Sequence, residues 1–247
     1  MTRSGHPDAH TVLERINGAR GELVLRRRQS DRGEVFELIS NGVFLMDSAE
    51  VSTELALAHE GIAPLKDRSS LRILVGGLGL GYTLAAALQV PRVVEAVVVE
   101  LEAAIVRWVS GPLGHLSGYP LRDPRVKVRE EDLISYLKRT GDAFDALMID
   151  VDNGPEFIVH PENIWLYTLE GLRCIHDRLT PGGVVTVWSS ERSPLLLERM
   201  ATAFAQVQEL SFPLERERHR FLYYLYQGTR ATEPPHPAGA PATTHTP

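Results

Sequence analysis

The sequence contains a single cysteine, Cys174, among its 247 residues. One cysteine excludes an internal disulfide and a cysteine-rich metal site, and this scarcity is typical of proteins that work in a reducing cytoplasm. Long apolar runs are also missing. No stretch approaches the ~18 residues of a membrane-spanning helix, and the N-terminal segment lacks the continuous apolar core of a signal peptide. We therefore expect a cytoplasmic protein with no membrane anchor.

An excess of basic residues is missing as well. The chain has 26 Lys and Arg against 32 Asp and Glu, a formal net charge of −6. Nucleic acid and an anionic membrane are therefore disfavoured as partners. Apolar residues are abundant, at 43% of the total, which is enough for the core of a large α/β domain. A small molecule is the expected ligand.

The N-terminal quarter predicts a small antiparallel unit. Segments between residues 21 and 47 alternate apolar and polar side chains, and Asn41-Gly42 is typical of a tight hairpin turn. The segment "AEVSTELALAHEGIAPL" then reads as a helix. We place this β-hairpin unit and its linking helix at residues 11–66. Residues 1–10 and 228–247 have little to bury, and we predict that both are disordered.

From Leu71 onward, strand-like and helical stretches alternate, ending in a predicted antiparallel pair. Such alternation predicts right-handed crossovers and a doubly wound, mainly parallel, seven-stranded Rossmann-like sheet. We place this domain at residues 67–227, with one long helix from Glu162 to Leu179. The predicted fold class is therefore α/β.

Glycines and acids follow the predicted parallel strands, where ligands bind in open α/β sheets. The first strand ends in "GGLGLG", Gly76 to Gly81, but the dinucleotide fingerprint G-x-G-x-x-G fails in either register. A tight turn would also need a glycine there. The second strand ends in Glu100, which could accept from both hydroxyls of a ribose or simply begin the next helix.

The third and fourth strands also run into acids. Asp132 could accept from an adenine amine or cap the following helix, and Asp150 ends the strand "ALMID". Together, the glycine loop and these acids predict a nucleoside site without a pyrophosphate cradle. S-Adenosylmethionine fits that description. No group of His, Cys and Asp has metal-ligand spacing, so we predict no metal.

The segments "NGVFLMDS", "LVGGLGLG", "VVVE", "DAFDALMIDVDNGP" and "LTPGG" resemble the spermidine synthase branch of the class I S-adenosylmethionine-dependent transferases. The resemblance covers residues 21–227. It implies a homodimer in which the hairpin unit takes part. It also implies a set of cofactor-binding residues: Gly76, Gly77, Gly79, Gly81, Glu100, Leu101, Glu131, Asp132, Leu133 and Asp150.

Three anchors of the resembled family are absent. Its loop Asp falls on Gly79, the second Asp of its Asp-x-x-Asp motif on Asn153, and its amine-binding Tyr on Gly171. Without the acid at Gly79, nothing there repels the carboxylate of ordinary S-adenosylmethionine. We therefore predict methyl transfer to a small amine or hydroxyl. Two alternatives remain: aminopropyl or aminocarboxypropyl transfer, the former from the decarboxylated cofactor, and a non-catalytic nucleoside-binding protein.

The stretch after the fourth strand supplies the predicted catalytic residues, Asp150 and Asp152. Asp150 would accept a hydrogen bond from the nucleophile and act as general base. Asp152 would partly replace the missing second acid or hold the loop, although Asp before Asn-Gly-Pro is also an ordinary turn former. The following loop provides further candidate substrate contacts: Asn153, Glu156, His160, Trp165 and Tyr167.

Overall fold

A computed structural model describes residues 10–31, 33–216 and 219–232. Residues 1–10 and 228–247, which we predicted to be disordered, lie mostly outside the described part of the chain. The exceptions are His10 and residues 228–232. The last strand continues to Thr229. In the part of the chain that is described, no helix has the length and apolar character needed to cross a bilayer.

The N-terminal unit is a sheet of four antiparallel strands in the order β1-β2-β3-β4. Its strands are β1 (Thr11–Gly18), β2 (Gly21–Ser30), β3 (Gly33–Ser40) and β4 (Val43–Asp47). The predicted turn between β3 and β4 is confirmed, since Asn41 and Gly42 have φ of 49° and 79°. Sequence analysis did not predict β1, an edge strand whose side chains are exposed or only half-buried. It therefore carries no clear apolar alternation.

The large sheet has seven strands, as predicted. They are β5 (Leu71–Gly76), β6 (Val93–Glu100), β7 (Val126–Glu130), β8 (Phe144–Ile149), β9 (Leu179–Ser189), β10 (Gln206–Arg216) and β11 (His219–Thr229). Their order is β10-β11-β9-β8-β5-β6-β7, with β5 to β9 parallel and β11 antiparallel to both neighbours. The predicted doubly wound sheet and closing antiparallel pair are confirmed.

Helices cover both faces of this sheet. They are α1 (Ser52–Ile62), α2 (Tyr82–Leu88), α3 (Ala103–Ser110), α4 (Leu133–Arg139), α5 (Leu169–Asp177) and α6 (Pro194–Ala203). Alternate side chains of β5 divide between two cores, because Ile73 and Val75 pack with α1 to α3 and Leu74 packs with α4 to α6. Leu23, Leu25 and Leu38 of the N-terminal sheet join the first core. The small sheet is thereby fixed against the large one.

The predicted single helix from Glu162 to Leu179 is wrong. A 3-10 helix, Pro161–Tyr167, is followed by α5, and Leu179 already belongs to β9. Thr168 separates the two helices with extended backbone angles, and its hydroxyl accepts a hydrogen bond from the Gly171 amide at 3.1 Å. A side-chain cap of this kind ends one helix and starts another, whereas apolar periodicity continues through it.

Candidate active site

The carboxyl ends of β5, β6 and β8 open into a first chamber beneath the N-terminal sheet. Ten of the predicted site residues line it: Gly77, Gly79, Glu100, Leu101, Asp132, Leu133, Asp150, Asp152, Asn153 and His160. Six do not: Gly76, Gly81, Glu131, Glu156, Trp165 and Tyr167. The strand ends therefore bring most of the predicted residues together, as parallel topology requires.

Two glycines of the first loop have conformations that other residues rarely adopt. Gly77 has φ of +91° and its backbone lies against the carbonyl of Asp150, while Gly79 has φ of +51°. A Cβ atom at Gly79 would lie 2.6 Å from Sδ of Met46, a residue of β4. The space that a side chain at this position would use is thus filled by the N-terminal sheet.

Glu100 ends β6 and is buried. Its carboxylate accepts hydrogen bonds from the amides of Leu78 and Glu102, both at 2.8 Å. Burial raises its pKa despite these bonds. Since each carboxylate oxygen has two lone pairs, Glu100 fixes the glycine loop and retains capacity to accept from a ligand in the chamber.

Asp132 is the N-cap of α4 and accepts from the Ser135 amide at 2.8 Å. It also meets a residue that sequence analysis missed, because Nη2 of Arg20 lies 2.5 Å from Oδ2 of Asp132. Nη1 of Arg20 donates to Asn163 at 2.6 Å. The amides of Ala19 and Arg20 donate to Glu102 at 3.0 and 3.2 Å. The β1–β2 turn is thereby held over this end of the chamber.

Asp150 follows β8, and its side chain has no hydrogen bond or ion pair with any residue that the structure describes. Its amide donates to the Gly76 carbonyl at 2.8 Å, which sets the position of the residue. Burial, and then the charge of Glu100, raises the pKa of Asp150 to about 7. A carboxyl group with such a pKa in a cleft is a candidate for proton transfer.

Asp152 has a different environment. Its carboxylate accepts from the amides of Asn153, Val159 and His160 at 2.8, 2.7 and 3.1 Å, and from Nδ2 of Asn163 at 2.9 Å. These four bonds tie together both ends of the loop that follows β8. The two acids of "IDVD" therefore differ in their surroundings. The Asp150 side chain has no hydrogen-bond partner among the described residues, whereas the Asp152 carboxylate accepts four hydrogen bonds.

The candidate substrate contacts divide between the chamber and its supports. In the chamber, His160 shares a hydrogen bond of 3.2 Å with Ser40, and Asn153 donates to the Phe44 carbonyl at 3.4 Å. Outside it, Glu156 accepts from Ser193 at 2.5 Å, Lys138 lies 4.2 Å over the ring of Trp165, and Tyr167 is buried.

Glu54 of α1 is the second residue that sequence analysis missed. It lines the first chamber and also an adjoining second chamber of about 370 Å³ between β4, α1 and β11. Burial, and then the charge of Asp150, raises the pKa of Glu54 to about 8. A lone acid in a helical segment has no motif, so only the packing of α1 reveals it. Within the described residues, no group of three or more His, Cys, Asp or Glu side chains could hold a metal ion.

Comparison with known proteins identifies the family. The profile of the spermine/spermidine synthase domain matches residues 51–218. The chain belongs to the spermine/spermidine synthase family. Polyamine aminopropyltransferase 2 of Pseudomonas aeruginosa is 34% identical over 160 residues, which are 61% of this chain and 44% of that protein. Polyamine aminopropyltransferase of Thermococcus onnurineus is 26% identical over 179 residues, 72% of this chain and 62% of that protein.

The matched segments thus span only about half of these relatives, 44% and 62% of their lengths. Solved structures of the family share the fold. Spermidine synthase in complex with the transition-state analogue AdoDATO has a TM-score of 0.74 at 18% identity, covering 90% of this chain and 74% of that one. Spermidine synthase from Thermotoga maritima has a TM-score of 0.71, with the same identity and coverage.

The prediction of methyl transfer from ordinary S-adenosylmethionine is wrong. The family and the named relatives are aminopropyltransferases and spermidine synthases, not methyltransferases; the broader prediction of a transferase agrees with them. The error came from interpreting Gly79 as the removal of a repulsive charge. In the structure Met46 fills that space, and at Gly171 a side chain would run into the Trp165 carbonyl. Gly171 is therefore required by backbone packing, whereas Gly79 has a positive φ and contacts a flexible side chain.

Proposed function

We propose that this protein transfers an aminopropyl group from decarboxylated S-adenosylmethionine to a small amine. The observation that carries the proposal is the acidic lining of the first chamber. Among its described residues, one guanidinium, that of Arg20, accompanies six carboxyl groups: Glu54, Glu100, Glu102, Asp132, Asp150 and Asp152. Such a site favours a sulfonium and an ammonium group. A donor that kept its carboxylate would add a negative charge to a chamber already rich in them.

The nucleoside would bind between β6 and α4. Glu100 would accept from the ribose hydroxyls, and Asp132 from the exocyclic adenine amine. Leu101 and Leu133 line the same part of the chamber and would contact the apolar faces of the base. Gly77 has a positive φ and lies against the Asp150 carbonyl, and the absence of a side chain there would let the first loop pass close to the ligand.

Asp150 would orient and deprotonate the acceptor. The amine nitrogen attacks the aminopropyl carbon bonded to the sulfonium, the carbon–sulfur bond breaks, and its electron pair passes to sulfur. The products are an aminopropylated amine and the neutral thioether 5′-methylthioadenosine, with the amine proton transferred to Asp150. A pKa of about 7 suits this role. Asp152 would hold the loop through its four hydrogen bonds and have no part in proton transfer.

We extend the proposal to a cytoplasmic homodimer. The single cysteine is consistent with a reducing compartment. Exposed Val12 and Leu13 on the edge strand β1 would suit an interface that includes the N-terminal sheet. Light scattering on the purified full chain would measure its oligomeric state.

A mass-spectrometric screen tests the reaction. The protein is incubated with decarboxylated S-adenosylmethionine and a panel of monoamines, diamines and longer polyamines. We expect an aminopropylated amine and an equal amount of 5′-methylthioadenosine. The carboxylated donor serves as the matched control and should give neither product. Failure of every amine to react with the decarboxylated donor would contradict the proposal.

A further inference from the structure

The second chamber adjoins the first. The two share the side chains of Leu45, Met46, Glu54, Asn153 and Trp188. Its described lining includes no Lys, Arg or His, and four acids: Asp47, Glu50, Glu54 and Glu191. Five aromatic side chains complete the walls: Phe44, Phe157, Trp188, Phe221 and Tyr223. Acids and aromatic faces together suit a ligand with ammonium groups on an aliphatic chain.

Trp188 is an aromatic side chain that lines both chambers. It lies in both chambers, is 9% exposed, and packs edge-on against Tyr223 with ring centroids 5.0 Å apart. Its indole Nε1 is buried and has no hydrogen-bond partner in the described residues. An ammonium group only donates hydrogen bonds and cannot pair with this N–H group, so Trp188 would contribute the face of its ring to a cationic ligand.

Glu54 is the acid at this junction. Its side chain accepts a hydrogen bond of 3.0 Å from the Thr53 hydroxyl and forms no ion pair with any described residue. Asp150, which faces the first chamber, likewise has no cationic partner there. Glu54 and Asp150 both line the first chamber, and two carboxyl groups without counter-ions in one chamber form a binding position for a cation.

The position where the resembled family has its second acid does not provide this charge. Asn153 lines both chambers, but its amide group donates to the Phe44 carbonyl at 3.4 Å and carries no charge. An amide cannot neutralise an ammonium group as a carboxylate does. The chain thus has an amide at position 153 and an acid on α1, and both side chains line the two chambers.

We propose that Glu54 determines acceptor specificity by binding the amine that reacts, so that α1 supplies the carboxylate that is absent at position 153. This inference rests on the proposed function and names the acceptor class, an α,ω-diamine. Its reacting amine lies between Asp150 and Glu54, and its methylene chain lies along the aromatic walls. The distal ammonium group lies near Glu50 and Glu191 in the second chamber.

The test is Glu54→Gln in the full chain, with 1,4-diaminobutane as the probe. We expect KM for the diamine to rise about tenfold or more, because a charge-assisted bond is lost, while KM for the donor changes less than about twofold. Glu60→Gln is the matched control, since Glu60 lies on the same helix, hydrogen-bonds with His59 at 2.9 Å and lines neither chamber. It should change neither constant.

A rescue variant tests whether a carboxylate at position 153 can replace that of Glu54. Adding Asn153→Asp to Glu54→Gln places a carboxylate back on the loop, and we expect most of the diamine affinity to return. Failure of the double variant to recover, with Glu54→Gln impaired, would overturn the claim that Glu54 stands in for the missing acid. An unchanged diamine KM in Glu54→Gln would overturn the inference and leave the proposed function intact.

Calorimetry separates the inference from the reaction. Binding of 1,4-diaminobutane is measured in the presence of 5′-methylthioadenosine, which requires no turnover. If wild type binds the diamine, Glu54→Gln loses that binding and neither makes product, Glu54 binds the diamine as inferred but the proposed reaction fails. If wild type neither binds the diamine nor forms product, both are overturned.

Discussion

At the scale of single residues, the two acids of "IDVD" show what a sequence can predict. Asp150 could be predicted because a buried apolar strand ends there, and strand ends converge at the ligand edge of a parallel sheet. Asp152 was predicted either to catalyse or to hold the loop, and its four donors favour the second role. Glu54 could not be predicted, since its position beside Asp150 depends on tertiary packing of α1.

Asp150→Asn should lower turnover ~10²-fold or more while leaving the affinity for neutral 5′-methylthioadenosine within a few-fold. The amide keeps the shape of the side chain but cannot take the amine proton. Single-turnover kinetics and calorimetry would measure the two effects. Asp152→Asn is the paired variant: it weakens charge-assisted bonds and should lower the melting temperature by several degrees. Full turnover in Asp150→Asn would remove it from the proposed mechanism.

At the scale of elements, the parallel strands and their crossovers followed from alternation of apolar stretches. Two features did not. The break at Thr168 depends on one hydroxyl that caps α5, and β1 is an exposed edge strand whose one partner strand among the described residues is β2. Apolar periodicity predicts neither feature. The break at Thr168 depends on a side-chain hydrogen bond, and β1 buries few apolar side chains.

The β1–β2 turn carries the clearest prediction at this scale. Arg20 forms an ion pair with the Asp132 carboxylate, which is the group that would accept a hydrogen bond from the adenine amine. We therefore expect Arg20→Ala to increase the affinity for 5′-methylthioadenosine several-fold, as measured by calorimetry. Arg15→Ala is the control, because Arg15 lies in the same hairpin and pairs with Glu22 at its exposed surface. Weaker nucleoside binding in Arg20→Ala would mean that Arg20 contacts the ligand instead of competing with it.

At the scale of the whole molecule, the site lies between two sheets that are distant in sequence. The large sheet supplies the residues that strand-end reasoning identified. The small sheet and α1 supply Arg20, Met46 and Glu54, which meet the others only through packing. The mistaken interpretation of Gly79 has this origin, since its neighbour Met46 belongs to the other sheet. Local patterns predict elements well but do not predict which side chains meet between them.

The whole-molecule prediction concerns stability against pH. The pKa values of Asp150 and Glu54 are raised to about 7 and about 8, whereas unfolded carboxyl groups titrate near ~4. The folded protein therefore holds protons that the unfolded chain has released, and its stability falls as pH rises from about 5 to 8. Burial also raises the pKa of Glu100, so this group too makes the folded protein less stable as pH rises. Other ionisable groups that face the two acids are Asp47, Glu50, Tyr82, Asp152 and Tyr167.

The variant Asp150→Asn/Glu54→Gln removes this penalty. It should match wild type near pH 5 and exceed it near pH 8 by an unfolding free energy of about 2 kcal/mol or more, given ~1.4 kcal/mol per pKa unit and partial exposure of both groups. Urea unfolding at each pH would measure the difference. The pKa of Glu37 shifts in the opposite direction. Burial raises it, but the hydrogen bonds from Arg28 and Arg26 lower it, and the net shift is downward. The stability that Glu37 contributes is therefore lost only when the solution becomes more acidic. A wild-type stability that stayed constant from pH 5 to 8 would mean that water hydrates these carboxylates and that burial does not raise their pKa values.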